Sequence, residues 1–136
     1  MKIFKATDRP TTAPNPDYFH GDVLQTPIVT APEPARLRAL LVQFAPGART
    51  AWHTHPLGQT LYVTQGVGYV ALRGQAPQQI RAGDTVWIPP HIEHWHGAAP
   101  DHAMAHIAMQ EAQNGQVADW LEHVSDADYP SPTAQA

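Results

Sequence analysis

From Leu37 to Gln110, the chain consists of short runs rich in β-branched and aromatic residues, each closed by glycine or proline. Runs of this length and spacing are typical of an all-β sandwich or barrel. The six prolines before residue 36 break up any helix in that part of the chain. We therefore predict an extended, proline-rich arm over residues 1–36 and a β-barrel that begins at residue 37.

The alternation of residues in the run that starts at Gln59 predicts which side chains face the interior of the barrel. Successive residues of a strand point to opposite faces. If Gln59 points inward, Leu61 and Val63 point inward with it, whereas Thr60 and Tyr62 point outward. The polarity of these positions agrees with that assignment.

The pattern changes after the last predicted strand. Four apolar residues there fall at helical spacing: Val117, Trp120, Leu121 and Val124. This spacing predicts one short amphipathic helix that covers an open end of the barrel. The barrel with its covering helix is predicted over residues 37–124, and a flexible tail over residues 125–136.

Length and charge narrow the class of protein. A chain of 136 residues fits one domain around one core. The net charge of -4, with both signs scattered, offers no basic surface for nucleic acid. No run approaches the roughly 20 apolar residues of a membrane helix, and the first residues lack the apolar stretch of a secretory signal. We expect a cytoplasmic protein that binds a small molecule and neither nucleic acid nor a membrane.

The histidines indicate a metal site. Because the chain has no cysteine, nitrogen and oxygen atoms must hold any metal ion. Seven of the nine histidines fall between residues 53 and 106. His53 and His55 share one face of a strand, Gln59 can meet them across a turn, and His94 must come from a distant hairpin. An isolated histidine is more often a hydrogen-bonded core residue, but this combination in a β-rich chain favours metal ligands.

Two spaced motifs of the chain resemble those of the cupins. The first cupin motif, G-x5-HxH-x3/4-E-x6-G, matches Gly47, His53, His55, Gln59 and Gly66 with every spacing kept. The second, G-x5-PxG-x2-H-x3-N, matches Gly83, Pro89, His94 and Ala98. The departures are Gln59 for glutamate, His91 for a turn glycine and Ala98 for asparagine. The resemblance implies a single-domain all-β cupin, an antiparallel β-barrel or jelly roll, to which we add the short C-terminal helix predicted above.

A narrower resemblance covers roughly residues 44 to 124. Segments such as PGARTAWHTHPLGQTL and HWHGAAP look like the bacterial manganese-dependent cupin hydroxynitrile lyases, which also carry glutamine in place of the motif glutamate. This resemblance implies a metal site of His53, His55, Gln59 and His94. It also implies four catalytic pocket groups: Thr50, His96, His106 and Gln110. The implied cofactor is one divalent metal ion, manganese first, with iron, zinc or nickel as alternatives for the same donors. The implied reaction cleaves or forms small aromatic cyanohydrins.

Strand periodicity places the catalytic candidates independently of that resemblance. An inward His94 brings His96 to the pocket wall, because the two are two residues apart, and His106 shares a face with Gln110. A hydrogen-bonded pair of His106 and Gln110 without a catalytic role is the alternative. On the catalytic interpretation, His106 or His96 accepts the hydroxyl proton near the ordinary histidine pKa of about 6.5, while Thr50 and Gln110 orient the oxygens.

Gln59 suggests which chemistry the metal site favours. Three neutral imidazoles and a neutral amide leave a divalent ion with its full charge, whereas a glutamate would cancel one unit of it. We interpret Gln59 as favouring acid catalysis over oxygen chemistry.

The sequence leaves other functions open. A cupin dioxygenase or isomerase of a small hydroxy or keto compound would use the same four ligands, and a non-catalytic metal-binding cupin would need only the pocket. A purely structural module fits least, because a core does not require four convergent ligands. We also expect a homodimer or homotetramer, since an extended arm commonly adds to the sheet of a neighbour.

Overall fold

Eleven strands make up the sheet structure of the computed structural model, which describes residues 1–130. Their bounds are Phe19–His20 (β1), Val23–Thr30 (β2), Leu37–Phe44 (β3), Arg49–Thr50 (β4), His53–Thr54 (β5), Gln59–Leu72 (β6), Gln78–Arg81 (β7), Thr85–Ile88 (β8), His94–Ala98 (β9), Met104–Glu111 (β10) and Asp119–Trp120 (β11). The helical structure in residues 1–130 is one 3-10 turn, Ala6–Asp8. Within the same residues, no helix is long and apolar enough to cross a membrane.

The strands form a nearly closed antiparallel β-barrel, as predicted. The main order of neighbours is β1-β4-β9-β6-β10-β3-β2. The long strand β6 connects the two walls of the barrel. It pairs with β8 and β10 near its start and with β7 and β9 near its end. The inward residues Gln59 and Leu61 are therefore each held between paired neighbours on both sides.

The predicted alternation along β6 is confirmed. Gln59, Leu61 and Val63 are buried, and Leu61 and Val63 have no exposed surface. Tyr62 is exposed and Thr60 is half-buried. The inward residues pack into one apolar core with neighbours from facing strands, which include Phe44, Ile88 and Met104. This apolar core fills one part of the barrel interior. Gln59 belongs to the buried polar residues in the other part.

The predicted C-terminal helix is wrong. Asn114 and Gly115 both adopt positive φ angles, of 52° and 80°, and they reverse the chain in a tight turn whose flanking residues Gln113 and Gln116 form a bridge. The Asn-Gly pair is the sequence signature of such a turn. Beyond the turn the chain is extended, and residue Trp120 pairs with His53 across β11 and β5.

Tertiary pairing explains why this segment, residues 113–124, is a strap and not a helix. The backbone N–H of Leu121 donates to the carbonyl of Trp52 (2.8 Å), and the N–H of Trp52 donates to the carbonyl of Glu122 (2.9 Å). Valine and tryptophan favour extended backbone over helix. The four apolar residues at helical spacing do not share one buried face, because Val124 is 4% exposed and Leu121 is 40% exposed.

Within residues 1–130, the segments before and after the predicted barrel both contact it. β1 and β2 lie within the range 1–36 that was predicted as an arm, and β2 pairs with β3 of the same chain. The hydroxyl of Tyr129 donates to the carbonyl of Ala98, and the ring of Tyr129 lies 4.1 Å from the Arg49 guanidinium. Residues 131–136 of the predicted tail lie outside the described residues. The boundaries between arm, barrel and tail stay predictions.

Three tryptophans differ in their environments. Trp52 and Trp95 are buried in a second apolar cluster with Tyr69. Trp87 is 60% exposed on the outer face of β8, although its apolar surroundings in sequence suggest a place in the core or pocket wall. Strand parity explains the exposure of Trp87, because its neighbours Val86 and Ile88 point inward.

The expected homodimer or homotetramer stays a prediction.

Two glycines with similar backbone conformations provide a test of the close approach of β6 to β10. A Cβ at Gly66 would overlap the carbonyl oxygen of Ala103, whereas a Cβ at Gly74 would meet nothing within 4 Å, and φ is near +80° at both. We expect Gly74→Ala to lower the free energy of unfolding by about 1–2 kcal/mol through backbone strain alone. Gly66→Ala should lower it by about 3 kcal/mol or more, since steric overlap adds to that strain. Urea denaturation measures the free energy of unfolding of both variants. Equal losses would contradict the close approach of Gly66 to the Ala103 carbonyl.

Candidate metal centre

Three short strands place their side chains in one row that faces the barrel interior. His53 of β5 lies directly opposite His94 of β9 on one side and Trp120 of β11 on the other. Residues directly opposite one another in a sheet direct their side chains to the same face. The register of β9, β5 and β11 therefore brings His53 and His94 together, with ring centroids 4.2 Å apart.

His55 and Gln59 join this row through a tight turn. Gly58 in the turn has φ +82°, and a Cβ there would collide with the backbone carbonyl of Ile88, so the turn requires glycine. The ring centroid of His55 lies 4.9 Å from that of His53 and 5.3 Å from that of His94. The four predicted metal ligands are thus brought to one buried place, with each of them 4% exposed or less.

Backbone carbonyls orient the three imidazoles. In each ring, Nδ1 donates its proton to a carbonyl oxygen, since a carbonyl can only accept. The acceptors are Ala51 for His53 (2.9 Å), Ile92 for His94 (2.9 Å) and Val117 for His55 (2.6 Å). A neutral imidazole that carries its proton on Nδ1 has a lone pair on Nε2. All three rings therefore have the tautomer that a metal ligand needs, held by the kind of hydrogen bond that supports ligating histidines.

A chain of amides orients Gln59. Its Nε2 donates to Oε1 of Gln110 (3.0 Å), and Nε2 of Gln110 donates to the carbonyl of Arg38 (3.2 Å). Oε1 of Gln59 then lies 3.3 Å from Nε2 of His94. Both of these atoms carry lone pairs, because the proton of His94 is on Nδ1. Two acceptors facing each other in a buried site repel unless a cation lies between them.

A buried ring nitrogen of His55 is also available to a bound cation. Nε2 of His55 is buried and has no hydrogen-bond partner. Burial lowers the pKa of His53 well below its usual range, and the neighbouring His94 and His55 lower it further. Burial likewise lowers the pKa of His55, and that of His94 to about 4. The rings are therefore neutral at physiological pH and available as ligands, so His53, His55, Gln59 and His94 could hold a divalent ion.

His96 lies beside this group and is backed by His106. Ring nitrogens of His53, His94 and His96 all lie within 4.8 Å of one another. Nδ1 of His96 is 2.9 Å from Nε2 of His106, and the backbone N–H of His96 donates to Oγ1 of Thr50 (3.2 Å). Nε2 of His96 has no hydrogen-bond partner. Burial lowers the pKa of His106 to about 4, and burial together with the neighbouring His106 lowers the pKa of His96 well below its usual range. Neither ring therefore has the pKa of about 6.5 that the sequence interpretation expects.

A cavity of about 90 Å³ opens onto these residues. Its polar lining consists of Gln25, Thr50, His53, His55, Gln59, His96 and Gln110. Its apolar lining consists of Phe19, Leu40, Val42, Ala108, Val117, Ala118 and Trp120. His106 has no exposed surface and does not line the cavity, so it can act only through His96. A wider groove of about 650 Å³, lined in part by residues 13–24, has no histidine in its lining. The smaller cavity is therefore the candidate active site.

The sequence patterns do not predict the cavity residues that lie before β3 and after β10. Phe19 and Gln25 lie in the range predicted as an arm, and Val117 and Trp120 lie in the segment predicted as a helix. The signal that indicates the strap is the Asn-Gly pair at residues 114–115, which predicts a chain reversal before Val117. No local signal places Phe19 or Gln25 at the cavity.

Comparison with known proteins identifies the family. The family model described as a cupin domain matches residues 40–109. A protein of Granulicella tundricola named (R)-mandelonitrile lyase is 53% identical over 113 residues, which are 83% of this chain and 86% of that protein.

Solved structures agree with the family model. A cupin-like protein from Thermotoga maritima superposes with a TM-score of 0.83 at 38% identity and covers 95% of each chain. The polyketide cyclase RemF from Streptomyces resistomycificus superposes with a TM-score of 0.72 over 99% of this chain and 96% of its own, and at 18% identity it shows the fold alone. With the fold, the spaced histidine motifs and these relatives in agreement, the chain belongs to the cupin superfamily.

Proposed function

We propose that this chain is a metal-dependent carbon–carbon lyase of the hydroxynitrile lyase type, which acts on small aromatic cyanohydrins or related hydroxy compounds. The observation that carries the proposal is a buried cluster at the cavity: the rings of His53, His55 and His94 have centroids 4.2 to 5.3 Å apart. Oε1 of Gln59 lies 3.3 Å from Nε2 of His94, and Nε2 of His55 has no hydrogen-bond partner. The relative named (R)-mandelonitrile lyase, 53% identical, supports the same reaction.

Four residues would hold the metal: His53, His55, Gln59 and His94. A divalent ion bound there would supply Lewis acidity to a hydroxyl or carbonyl oxygen of the substrate. We propose manganese, while iron, zinc and nickel suit the same nitrogen and oxygen donors. Gln59 contributes an oxygen without a charge, so the protein leaves the charge of the ion undiminished. This favours acid catalysis over a change of oxidation state, and hence a lyase over the alternative dioxygenase.

His96 is placed to accept the proton of the substrate hydroxyl. Its Nε2 is unpartnered, and its ring lines the cavity. For Nε2 to accept a proton, Nδ1 must carry one and donate it to Nε2 of His106, 2.9 Å away. His106 thereby holds His96 in the basic tautomer and acts as a positioning residue.

The proposed reaction moves one proton from the substrate hydroxyl to His96 and then to the departing cyanide. The hydroxyl proton moves to Nε2 of His96, the bond between the carbinol carbon and the nitrile carbon breaks, and its electron pair leaves with cyanide. The imidazolium of His96 returns the proton to cyanide, so that the products are an aldehyde and hydrogen cyanide. Oγ1 of Thr50 accepts from the backbone of His96, which leaves its O–H free to donate to the substrate oxygen. Both hydrogen bonds of Gln110 orient Gln59.

The cavity limits the substrate to a small molecule with one apolar group. Its volume of about 90 Å³ is well below the roughly 300–1,000 Å³ of pockets that hold drug-sized ligands. Leu40, Val42 and Ala108, on the paired strands β3 and β10, form an apolar wall of the cavity. A substituent on the carbinol carbon would pack against this wall while its hydroxyl faces His96.

Removal of one proposed ligand should remove the metal. We expect His55→Ala to lose both bound metal and lyase activity, since one of four donors is gone. His102→Ala is the control, because His102 is exposed and pairs only with Asp101. Metal content by elemental analysis and cyanohydrin cleavage per chain measure both variants. Full metal content in His55→Ala would exclude His55 as a ligand.

The amide of Gln59 should be necessary for lyase turnover. We expect Gln59→Glu to keep the metal but to lower the rate, because the carboxylate cancels one unit of charge and can no longer donate to Oε1 of Gln110. Gln43→Glu, on the outer surface of β3, is the control for an added charge. Cleavage per bound metal should be measured with and without oxygen. Turnover equal to that of the unchanged protein would refute our account of the amide.

His96 and His106 should differ in their effects. Per mole of bound metal, we expect His96→Ala to lower the rate by about 10²- to 10⁴-fold, as for loss of a general base. His106→Ala should lower it by only about 10- to 100-fold, because it acts through His96. The double variant should be no slower than His96→Ala alone. A larger loss in His106→Ala than in His96→Ala would reverse the two roles.

A further inference from the structure

Trp120 stacks on a ring of the proposed metal centre. The centroids of Trp120 and His53 are 4.5 Å apart, and their planes differ by 28°. Trp120 also stacks on Tyr18 of the arm, at 4.8 Å and 10°. A continuous aromatic stack thus runs from the arm through the strap to an imidazole that faces the cavity.

The position of His53 depends on the strap in its backbone as well. β5 has only two residues, and His53 pairs with His94 on one side and with Trp120 on the other. The hydrogen bond from Nδ1 to the carbonyl of Ala51 restrains one edge of the ring. His94 and His55 contact the same ring at interplanar angles of 50° and 88°, whereas the indole of Trp120 stacks on its face at 28° and so restrains the tilt of its plane.

The stack also favours the charged form of the site. Metal binding at Nε2 draws electron density out of the imidazole and makes the ring more positive. The face of an indole carries negative electrostatic potential and attracts cations more strongly than the ring of phenylalanine or any aliphatic side chain. Trp120 lines the cavity and is half-buried, so its indole is partly shielded from water.

We propose that Trp120 is a positioning residue of the metal centre, whose indole holds the plane of His53 and thereby sets the affinity for the metal ion. The inference rests on the metal site of the proposed function. It adds a residue outside the cupin motifs and assigns the strap a role in metal binding. A purely structural role for Trp120, as packing for Tyr18 and Phe19, predicts altered stability without a change in the metal site.

Titration of the metal-free protein with Co²⁺ distinguishes these roles. Co²⁺ reports affinity by calorimetry and ligand geometry by its visible absorption, and neither readout depends on activity. We expect Trp120→Leu to bind Co²⁺ about 10- to 100-fold more weakly and with an altered spectrum, the range for loss of a group that orients a ligand. Trp120→Phe should keep the spectrum and bind within about threefold of the unchanged protein, because a flat ring remains. Trp87→Leu, on the outer face of β8, should change neither.

Each outcome decides the proposal. Trp120→Met retains much of the apolar volume and replaces Trp120→Leu if that variant does not fold. Affinity and spectrum equal to those of the unchanged protein in either folded variant would overturn the role of Trp120. Equal losses in Trp120→Phe and Trp120→Leu would overturn it as well, since they would show that a flat ring at residue 120 does not matter. Failure of the unchanged protein to bind Co²⁺ would instead refute the metal site of the proposed function.

Discussion

Burial of several lone pairs at one point is the constraint on which the site depends. Nε2 of His55, Nε2 of His94 and Oε1 of Gln59 belong to one buried cluster, and Nε2 of His55 has no hydrogen-bond partner there. Within residues 1–130, no carboxylate lines the cavity, so charge pairing does not offset this cost. Groups of this kind are costly to bury unless something shared satisfies them. A divalent cation would satisfy them all, which ties the stability of the pocket to its chemistry.

The surrounding backbone is arranged to keep those lone pairs in place. Three carbonyls accept the Nδ1 protons of the ligand histidines, and one of them, at Val117, comes from the strap, 62 residues away from His55 in sequence. The chain of Gln110 and the Arg38 carbonyl prevents the amide of Gln59 from presenting its nitrogen. The long strands β6 and β10 pair with each other, and the candidate ligand Gln59 is the first residue of β6. His53 and His94 lie on the short strands β5 and β9, and His55 lies in the turn before β6. Precise geometry at loops thus depends on paired strands behind them.

The same arrangement explains why an uncharged donor set suits a lyase. In a buried cavity the effective dielectric is low, so a full positive charge acts strongly on a nearby oxygen. In the proposed reaction, Nε2 of His96 would face that oxygen, because it has no hydrogen-bond partner while the other ring nitrogen lies 2.9 Å from His106. Cupins support many reactions on one barrel, so the proposed function follows from this site and from the similarity to the relative named (R)-mandelonitrile lyase, and not from the fold.

Local periodicity in the sequence predicts part of the fold and part of the site. Spacing of two brings His53 and His55 to one face, parity along β6 orients Leu61 and Val63, and the two spaced motifs predict the ligands that the structure brings together. Tertiary structure decided the rest. Parity directs both His96 and His106 inward, but only packing between β9 and β10 decides that His96 reaches the cavity and His106 lies behind it. The sequence predicts a helix where the structure has the strap, because short apolar segments fit both the helical and the strand period. The strand that pairs with the strap, β5, lies more than 60 residues earlier in the chain. Periodicity is a property of neighbouring residues, whereas depth and pairing depend on distant strands that no local pattern specifies.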